Sequence, residues 1–459
     1  MSFLLVFLIN LFGIISTQSM EVELTSGQVE PSPIAVSEFL DPTDVDAVGI
    51  SSVIKEDLKH TAIFRVLESG YDAQSSESMQ LNVNYSGWQK SGATFLVSGK
   101  LIRLSNGMVE ISFSLYNVVS KVLMVSVNFK IHRKNLRRAA HLISDAIYER
   151  VCGDRGYFDT RIAYISEIDG GKTKRLTLSD FDGYNKIYLT SGGNFSLTPR
   201  FSPDGKNIAY LEFDKVGTAI VYIYNLASKK TSKLGAFKGL SISPRFSPDG
   251  KTVVFSLARN GSTAIYKYLR ESQELVKLTD NKSGYISTSP CYSPDSKKII
   301  FTSDRAKGRE KIYLMDHDGE SNLNSAVKIS KGEGTYSQPV WSPRGDIIAF
   351  TKKYQGQFYI GVMKTDGSDE RLIATGWLVE APVWSPNGRL IMFAREEKID
   401  NKKTKRQLYT VDLSGFHLHS VKNITQASDP AWSPSTSKSL LSNKSKIEKP
   451  FDLNNSKKN

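Results

Sequence analysis

The sequence is poor in the residue types that build catalytic and metal centres. Only two of its 459 residues are cysteines, Cys152 and Cys291. They fit no metal or redox spacing. Cys152 closes a helical segment and Cys291 lies in a repeat strand, so two separate buried thiols are expected. A long-range disulfide stays open for an oxidising compartment. Histidine is also scarce, with six scattered copies. His417 and His419 would share one face of a strand, but no third ligand can be named, so solvent-facing strand residues are expected. No G-x-S-x-G, H-E-x-x-H or paired C-x-x-C occurs, which excludes an attached α/β-hydrolase and the common zinc motifs. No catalytic residue, metal or cofactor is expected. Long apolar runs are absent except one: residues 3–15 are apolar but for Asn10 and Gly13. That run is short for a bilayer and has the length of a signal-peptide core. Thr17-Gln18-Ser19 supplies small residues for a cut before Met20, although no Lys or Arg precedes the run. Export, with loss of residues 1–19, and a soluble mature chain are expected. The formal charge is +13 with lysines scattered. It favours acidic partners without identifying one, and no stripe of Arg and aromatic residues suggests nucleic acid.

What is present is a repeat. Aromatic-Ser-Pro occurs six times, at Phe201-Ser202-Pro203, Phe246-Ser247-Pro248, Tyr292-Ser293-Pro294, Trp341-Ser342-Pro343, Trp384-Ser385-Pro386 and Trp432-Ser433-Pro434. Turn residues such as Asp204-Gly205 or Asn387-Gly388 follow, then an apolar strand such as Val253-Val254-Phe255. Asp-Gly and Asn-Gly supply the positive φ of a tight turn. Proline ends a strand without needing a donor. An apolar strand without alternation is buried on both faces. Four short strands per period of about 46 residues mark a β-propeller blade. The first such strand, Ile162-Ala163-Tyr164, has no Ser-Pro before it, and the last Ser-Pro has no good strand after it. The two defects complement each other, so the strand ending at Pro434 is expected to pair beside Ile162 and close a six-bladed ring. Closure leaves no open sheet edge between the chain ends.

Residues 20–155 read as a smaller α/β domain. Asp41-Pro42 opens an expected helix with Val53, Ile54 and Leu58 on its apolar face. Three strands follow over residues 95–104, 108–116 and 122–129, with Asn106-Gly107 as the first hairpin turn. Asn135 is expected to cap a helix bearing Leu136, Ala140, Ile143 and Ile147, ended by Gly153. The propeller then covers 156–434. Residues 435–459, rich in Ser, Lys and Asn, are expected to be a disordered basic tail that buries nothing. Asp180-Phe181-Asp182-Gly183 and Asp316-His317-Asp318-Gly319 resemble the start of a calcium loop but lack its spacing. Hairpin turns are expected at both.

The junction from Ala140-His141-Leu142-Ile143-Ser144-Asp145 to Arg161-Ile162-Ala163-Tyr164, with Ser179 to Tyr184 and the closing Pro430-Ala431-Trp432-Ser433-Pro434, is similar to the TolB family of the Tol-Pal system of Gram-negative bacteria. The resemblance runs from about Met20 to Pro434, and the chain continues some two dozen residues beyond the family's usual end. It implies a periplasmic, non-catalytic protein that binds the lipoprotein Pal through the propeller and the inner-membrane protein TolA through its mature N-terminus. It also implies a role in outer-membrane integrity and in constriction at division. The Pal-like partner is expected at a channel mouth lined by Leu240, Ser241, Ser243, Tyr285, Ser287 and Thr288, since apolar or aromatic side chains on loop tips have little structural use. The TolA-like partner is expected at Met20, Glu21, Val22, Glu23 and Leu24, whose alternation suits addition to a sheet edge or folding back on the chain's own domain. The alternative is a propeller enzyme or small-ligand binder that uses the central channel. Convergent ionisable residues on channel-facing connections would mark it, and only Glu333, Glu380 and Asp429 are acidic in or beside those connections.

Overall fold

The computed structural model describes residues 30–442 apart from 44–45, 69–73, 214–216, 236, 238, 260, 280–283, 307, 319–324 and 400–403. The expected signal peptide, the arm at Met20 to Leu24 and residues 443–459 lie outside the described residues.

The N-terminal domain runs β1 (Ser32–Val36), α1 (Ala47–Lys59), β2 (Phe64–Val66), α2 (Ser76–Leu81), α3 (Tyr85–Lys90), β3 (Phe95–Arg103), β4 (Met108–Asn117), β5 (Val122–His132) and α4 (Leu136–Cys152). Its strands form one sheet in the order β2-β1-β3-β4-β5, with β1 parallel to both neighbours. Ile50, Ile54 and Leu58 of α1, with Ala139, Ala140, Ile143 and Ile147 of α4, recur at helical spacing and bury one face of the sheet. Met79, Trp88 and Val118 join Leu96 in a smaller apolar cluster. The three long strands and the Asn106-Gly107 turn match expectation, with both turn residues at positive φ. One helix start is corrected. Helix α1 begins at Ala47, not Asp41: the Asp46 side chain accepts from Gly49 N at its N-terminus, and Asp41 accepts from Asp46 N one turn earlier. Asn135 occupies the cap position of α4 without a side-chain cap bond. At the other end Gly153 has φ 76 and returns its N–H to Glu149, the left-handed stop that glycine takes without a Cβ clash.

The rest of the chain forms six four-stranded antiparallel sheets arranged as blades. Each begins with an innermost strand: Phe195–Phe201, Leu240–Phe246, Ser287–Tyr292, Thr335–Trp341, Leu378–Trp384 and Ala427–Trp432. These six touch one another in a closed ring around the channel. Each ends in the Ser-Pro turn, where one hydroxyl organises the loop. Ser202 Oγ donates to Asp204 and accepts from Asn207 N at 2.9 Å, and the same pattern recurs at Ser247 and Ser293. Where the glycine is missing, Ser296 takes the left-handed conformation instead at φ 63.

A second repeat lies inside these strands. Five residues before each Ser-Pro proline, Thr198, Ser243, Ser289, Gln338, Ala381 and Asp429 all adopt φ between 46 and 55. A register shift accompanies each, and a proline follows each: Pro199, Pro244, Pro290, Pro339, Pro382 and Pro430. The innermost strand is a sheet edge, so the proline forfeits no ladder bond on its open side. The bulge bends the strand along the channel.

The ring closes as expected. Ala427–Trp432 pairs antiparallel with Arg161–Ile168, Trp432 opposite Ile162, and completes the first blade with Thr173–Asp180 and Ile187–Tyr188. Ser433 donates its N–H to Arg161 O and accepts from Arg161 N at 3.0 Å, reproducing across 272 residues the bonds that Ser202 makes within its own turn. The tail expectation is corrected at its start. Arg155 donates to Ser437 O, Ser437 contacts Asp159, and Leu440 and Leu441 pack against the main core, so burial continues past Pro434.

Replacing Trp432 by Ala should lower unfolding free energy by about 3–5 kcal/mol, the usual loss for a buried aromatic. Deleting the chain from Asp429 onward should in addition melt the first blade. Truncation after residue 442 should leave the midpoint unchanged. Urea titration followed by tryptophan fluorescence and circular dichroism checks the three; equal midpoints for all would refute the closure role.

Candidate partner-docking sites

The N-terminal domain sits on the Ser-Pro face of the propeller. Asp154, just past α4, pairs with Arg344 and Arg389 beside two Ser-Pro turns, and Asn387 donates to Arg155 O. The starts of the innermost strands therefore open on the opposite face, clear of that domain.

Between the domains is a cleft of about 230 Å³, lined by residues that include Asp57, His60, Arg137, Asp182, Tyr184 and Lys422. Its charged end is an interdomain quartet. His141, on α4 and 2% exposed, bonds Asp57 of α1 through Nδ1 at 2.8 Å and faces Asp182 of the propeller with Nε2 at 3.5 Å. Arg137 pairs with Asp182 and lies 3.5 Å over the Tyr184 ring. Burial opposes charge on His141, but the Asp57 carboxylate, its hydrogen bond and Asp182 outweigh burial and push the imidazole up to about 9. Three potential metal ligands meet here, with Asp57, His141 and Asp182 ligand atoms within 4.8 Å of one another. Two cationic side chains already balance the two carboxylates, so an added divalent ion would unbalance the cluster. The turn expected at Asp180-Phe181-Asp182-Gly183 is there, with Gly183 N bonded to Asp180 O. What spacing could not reveal is that Asp182 reaches the other domain.

The same junction is tightened behind α4. Asp145 accepts from Phe158 N and Asp159 N at 2.8 and 3.1 Å, and burial raises its carboxyl to about 7. A Cβ on Gly156 would lie 2.1 Å from Asp145 Oδ1, so only glycine fits. The expectation for the histidine pair is corrected. His417 precedes the short strand and lies beside Asp412, while His419 packs edge-on against His60 of α1 at 5.5 Å. Both are half-buried. The two thiols are free, Cys291 buried and Cys152 half-buried.

At the open mouth, the residues expected to receive a partner divide. Tyr285 is an exposed loop residue at 38%. Leu240, Ser241, Ser243, Ser287 and Thr288 lie within innermost strands rather than on loop tips. Ser287 is fully buried with its hydroxyl on Ser303, which removes it as a contact. Ser243 and Thr288 are half-buried, and the side chains of Leu240 and Ser241 lie outside the described residues. Three exposed apolar residues stand at strand starts and were not singled out: Phe195, Ile286 and Trp377, the last 59% exposed with Lys398 3.5 Å above its ring. Their signal was positional, since each lies eight or nine residues before a Ser-Pro proline. Across the mouth, Arg406 pairs with Glu167, Glu380 and Glu396, and Lys174 joins Glu167.

Fold and surfaces together define a two-domain β-propeller protein, with an α/β domain fixed to one face of the ring and the channel mouth open on the other. Residues 148–436 match the family model for the TolB beta propeller domain, and residues 20–124 match that for the TolB amino-terminal domain. The chain is 41% identical over 440 residues to the Tol-Pal system protein TolB of Rickettsia prowazekii, covering 93% of this chain and 98% of that protein. It is 38% identical over 422 residues to the TolB of Gluconobacter oxydans, covering 90% and 89%. The crystal structure of TolB from Acinetobacter baumannii superposes with a TM-score of 0.78 at 25% identity, covering 89% of this chain and 98% of that one. The chain belongs to the TolB family of Tol-Pal system proteins.

The His141 shift carries a pH signature. A histidine held above its ordinary value stabilises the fold below about 6.5 and ceases to do so as pH rises through about 9. The stability at stake is on the order of 3 kcal/mol. Asp145, also raised, acts in the same direction but in the window between the ordinary carboxylate range and about 7. Denaturant midpoints measured across pH should fall on the alkaline limb for the wild type. His141→Gln should flatten that limb alone, and Asp145→Asn the acidic-to-neutral one alone.

Proposed function

We propose that this protein is a periplasmic, non-catalytic docking component of the Tol-Pal system. It receives a Pal-like lipoprotein at the open channel mouth and a TolA-like inner-membrane protein at the arm Met20 to Leu24, and so supports outer-membrane integrity and constriction at division. The observation that carries this reading is similarity to Tol-Pal proteins over some nine-tenths of the chain, spanning both domains. The apolar side chains at the mouth support the first partner. Phe195, Tyr285, Ile286 and Trp377 are exposed large residues on the face that the N-terminal domain leaves open. Aromatic anchors ringed by charged pairs are the usual anatomy of a protein interface. The alternating Met20-Glu21-Val22-Glu23-Leu24 supports the second, as a strand that can add to a partner's sheet edge.

The reading is tested by affinity capture on envelope extract and by titration with the lipoprotein so recovered. Tyr285→Ala with Trp377→Ala should weaken lipoprotein binding by roughly tenfold or more. Val327→Ala, an exposed residue at an outer strand, should have no effect. Removing residues 20–28 should abolish capture of the TolA-like protein and leave lipoprotein binding intact. Recovery of neither partner by the wild type would overturn the proposal.

A further inference from the structure

One inner-strand position is not fixed by the repeat. Between the proline of the bulge and the aromatic of the Ser-Pro motif stand Arg200, Arg245, Cys291, Val340, Val383 and Ala431. Four are uncharged. The two arginines occupy the same register in adjoining innermost strands, Phe195–Phe201 and Leu240–Phe246, which touch each other in the ring.

Their charges are poorly answered. Among the described residues the Arg200 side chain donates to two carbonyls alone, Pro199 O at 2.6 Å and Pro430 O at 3.4 Å. Both arginines are half-buried, and neither lies within 4 Å of a carboxylate among the described residues. The Arg245 side chain makes no hydrogen bond to the described residues. The nearby carboxylates answer them only in part. Burial raises the Asp429 carboxyl, against the charge of Arg200 and the bond it accepts from Thr198 N. Glu167, Glu380 and Glu396 share Arg406. Burial and the charge of Arg245 lower Arg200 to about 9, with the Asp429 carboxylate opposing them in part. A guanidinium does not give up its proton in a protein, so such pressure is relieved by an anion rather than by deprotonation. Two residues before Arg200, the Thr198 hydroxyl is buried with no hydrogen-bond partner among the described residues.

We propose that Arg200 and Arg245 form a seat for one carboxylate or similar small oxyanion inside the channel. Two planar forks from neighbouring strands can grip an oxyanion in the geometry that guanidinium and carboxylate share. The oxyanion comes either free from solution or as an acidic side chain of a protein that enters the mouth. The seat itself does not depend on which partner docks there.

The test is calorimetric titration of the purified chain with sodium acetate, and separately with inorganic phosphate, at fixed ionic strength. One saturable site is expected, weakened by roughly tenfold or more in Arg245→Gln and in Arg200→Gln. Removing one of two facing like charges should not lower the melting temperature of Arg245→Gln, so a loss of binding there is not a loss of fold. A second arm compares affinity for the lipoprotein captured from envelope extract. Acetate binding with unchanged lipoprotein affinity in Arg245→Gln assigns the seat to a free oxyanion. A weakened lipoprotein that Arg245→Lys restores assigns it to a partner's carboxylate, and acetate should then compete. Acetate or phosphate binding that the two glutamine variants leave unchanged would overturn the seat. So would the absence of saturable binding together with lipoprotein affinity unaffected by Arg245→Gln.

Discussion

The pairing of Ala427–Trp432 with Arg161–Ile168 holds the rest of the structure in place. A propeller is a circle of sheets, and the circle is only as firm as the joint where its two ends meet. Here the joint uses the same hydroxyl contact that organises the turns elsewhere, with Ser433 and Arg161 bonded as Ser202 and Asn207 are. Trp432 adds an indole N–H to Thr160 at 2.8 Å and an edge contact to Tyr157. Tyr157 and Phe158 belong to the segment between the domains, so the joint and the domain seat are built from one set of side chains. The main core runs without a break from Ile34 of β1 through Tyr157 and Phe181 to Met392 and Trp432.

That sharing has a mechanical consequence. The strand pair 161–168 and 173–180 carries Glu167 toward the open mouth and leads into Asp182 at the domain seat. Both faces of the propeller therefore bear on the closing blade. A change at the seat that moved Asp182 would act on the sheet that also holds the ionic cluster at the mouth. Elements packed in one core move together or not at all, since dense interiors pass strain on rather than absorb it.

Much of this was legible because repeats are a strong signal. Aromatic-Ser-Pro with a turn and a buried strand fixed the blade count, and the two incomplete ends fixed the closure. The α4 helix and the three long strands of the first domain were legible from period and turn residues. Strand β2, of three residues, was not, because so short a segment has no period to read. Helices α2 and α3 have six residues each and are likewise below that limit. The start of α1 was misplaced because Asp41 and Asp46 are both good caps and only the structure shows which one meets the helix. The quartet around His141 could not be read at all. Asp57, His141 and Asp182 are far apart in the chain, and their meeting depends on how the two domains dock.

The missed arginines follow from the same logic. Strand entrances and acidic residues are the positions at which a sequence shows channel chemistry, while Arg200 and Arg245 stand deeper, past the bulge. The repeat is better read as Pro-x-aromatic-Ser-Pro, since a proline precedes every aromatic by two residues. In that reading each fixed letter has a structural task. The first proline follows the left-handed residue, the aromatic packs against neighbouring strands, the serine binds the turn and the second proline starts it. The letter x varies from arginine to cysteine, valine and alanine around the ring, and where it is uncharged, at Cys291, Val340, Val383 and Ala431, it is buried in the apolar clusters. A sixfold scaffold with one variable position per blade can place unlike side chains at one depth of the ring. Four blades fill that position with buried apolar side chains, so the charge carried there by Arg200 and Arg245 adds nothing to the packing and is the place to look for what the ring binds.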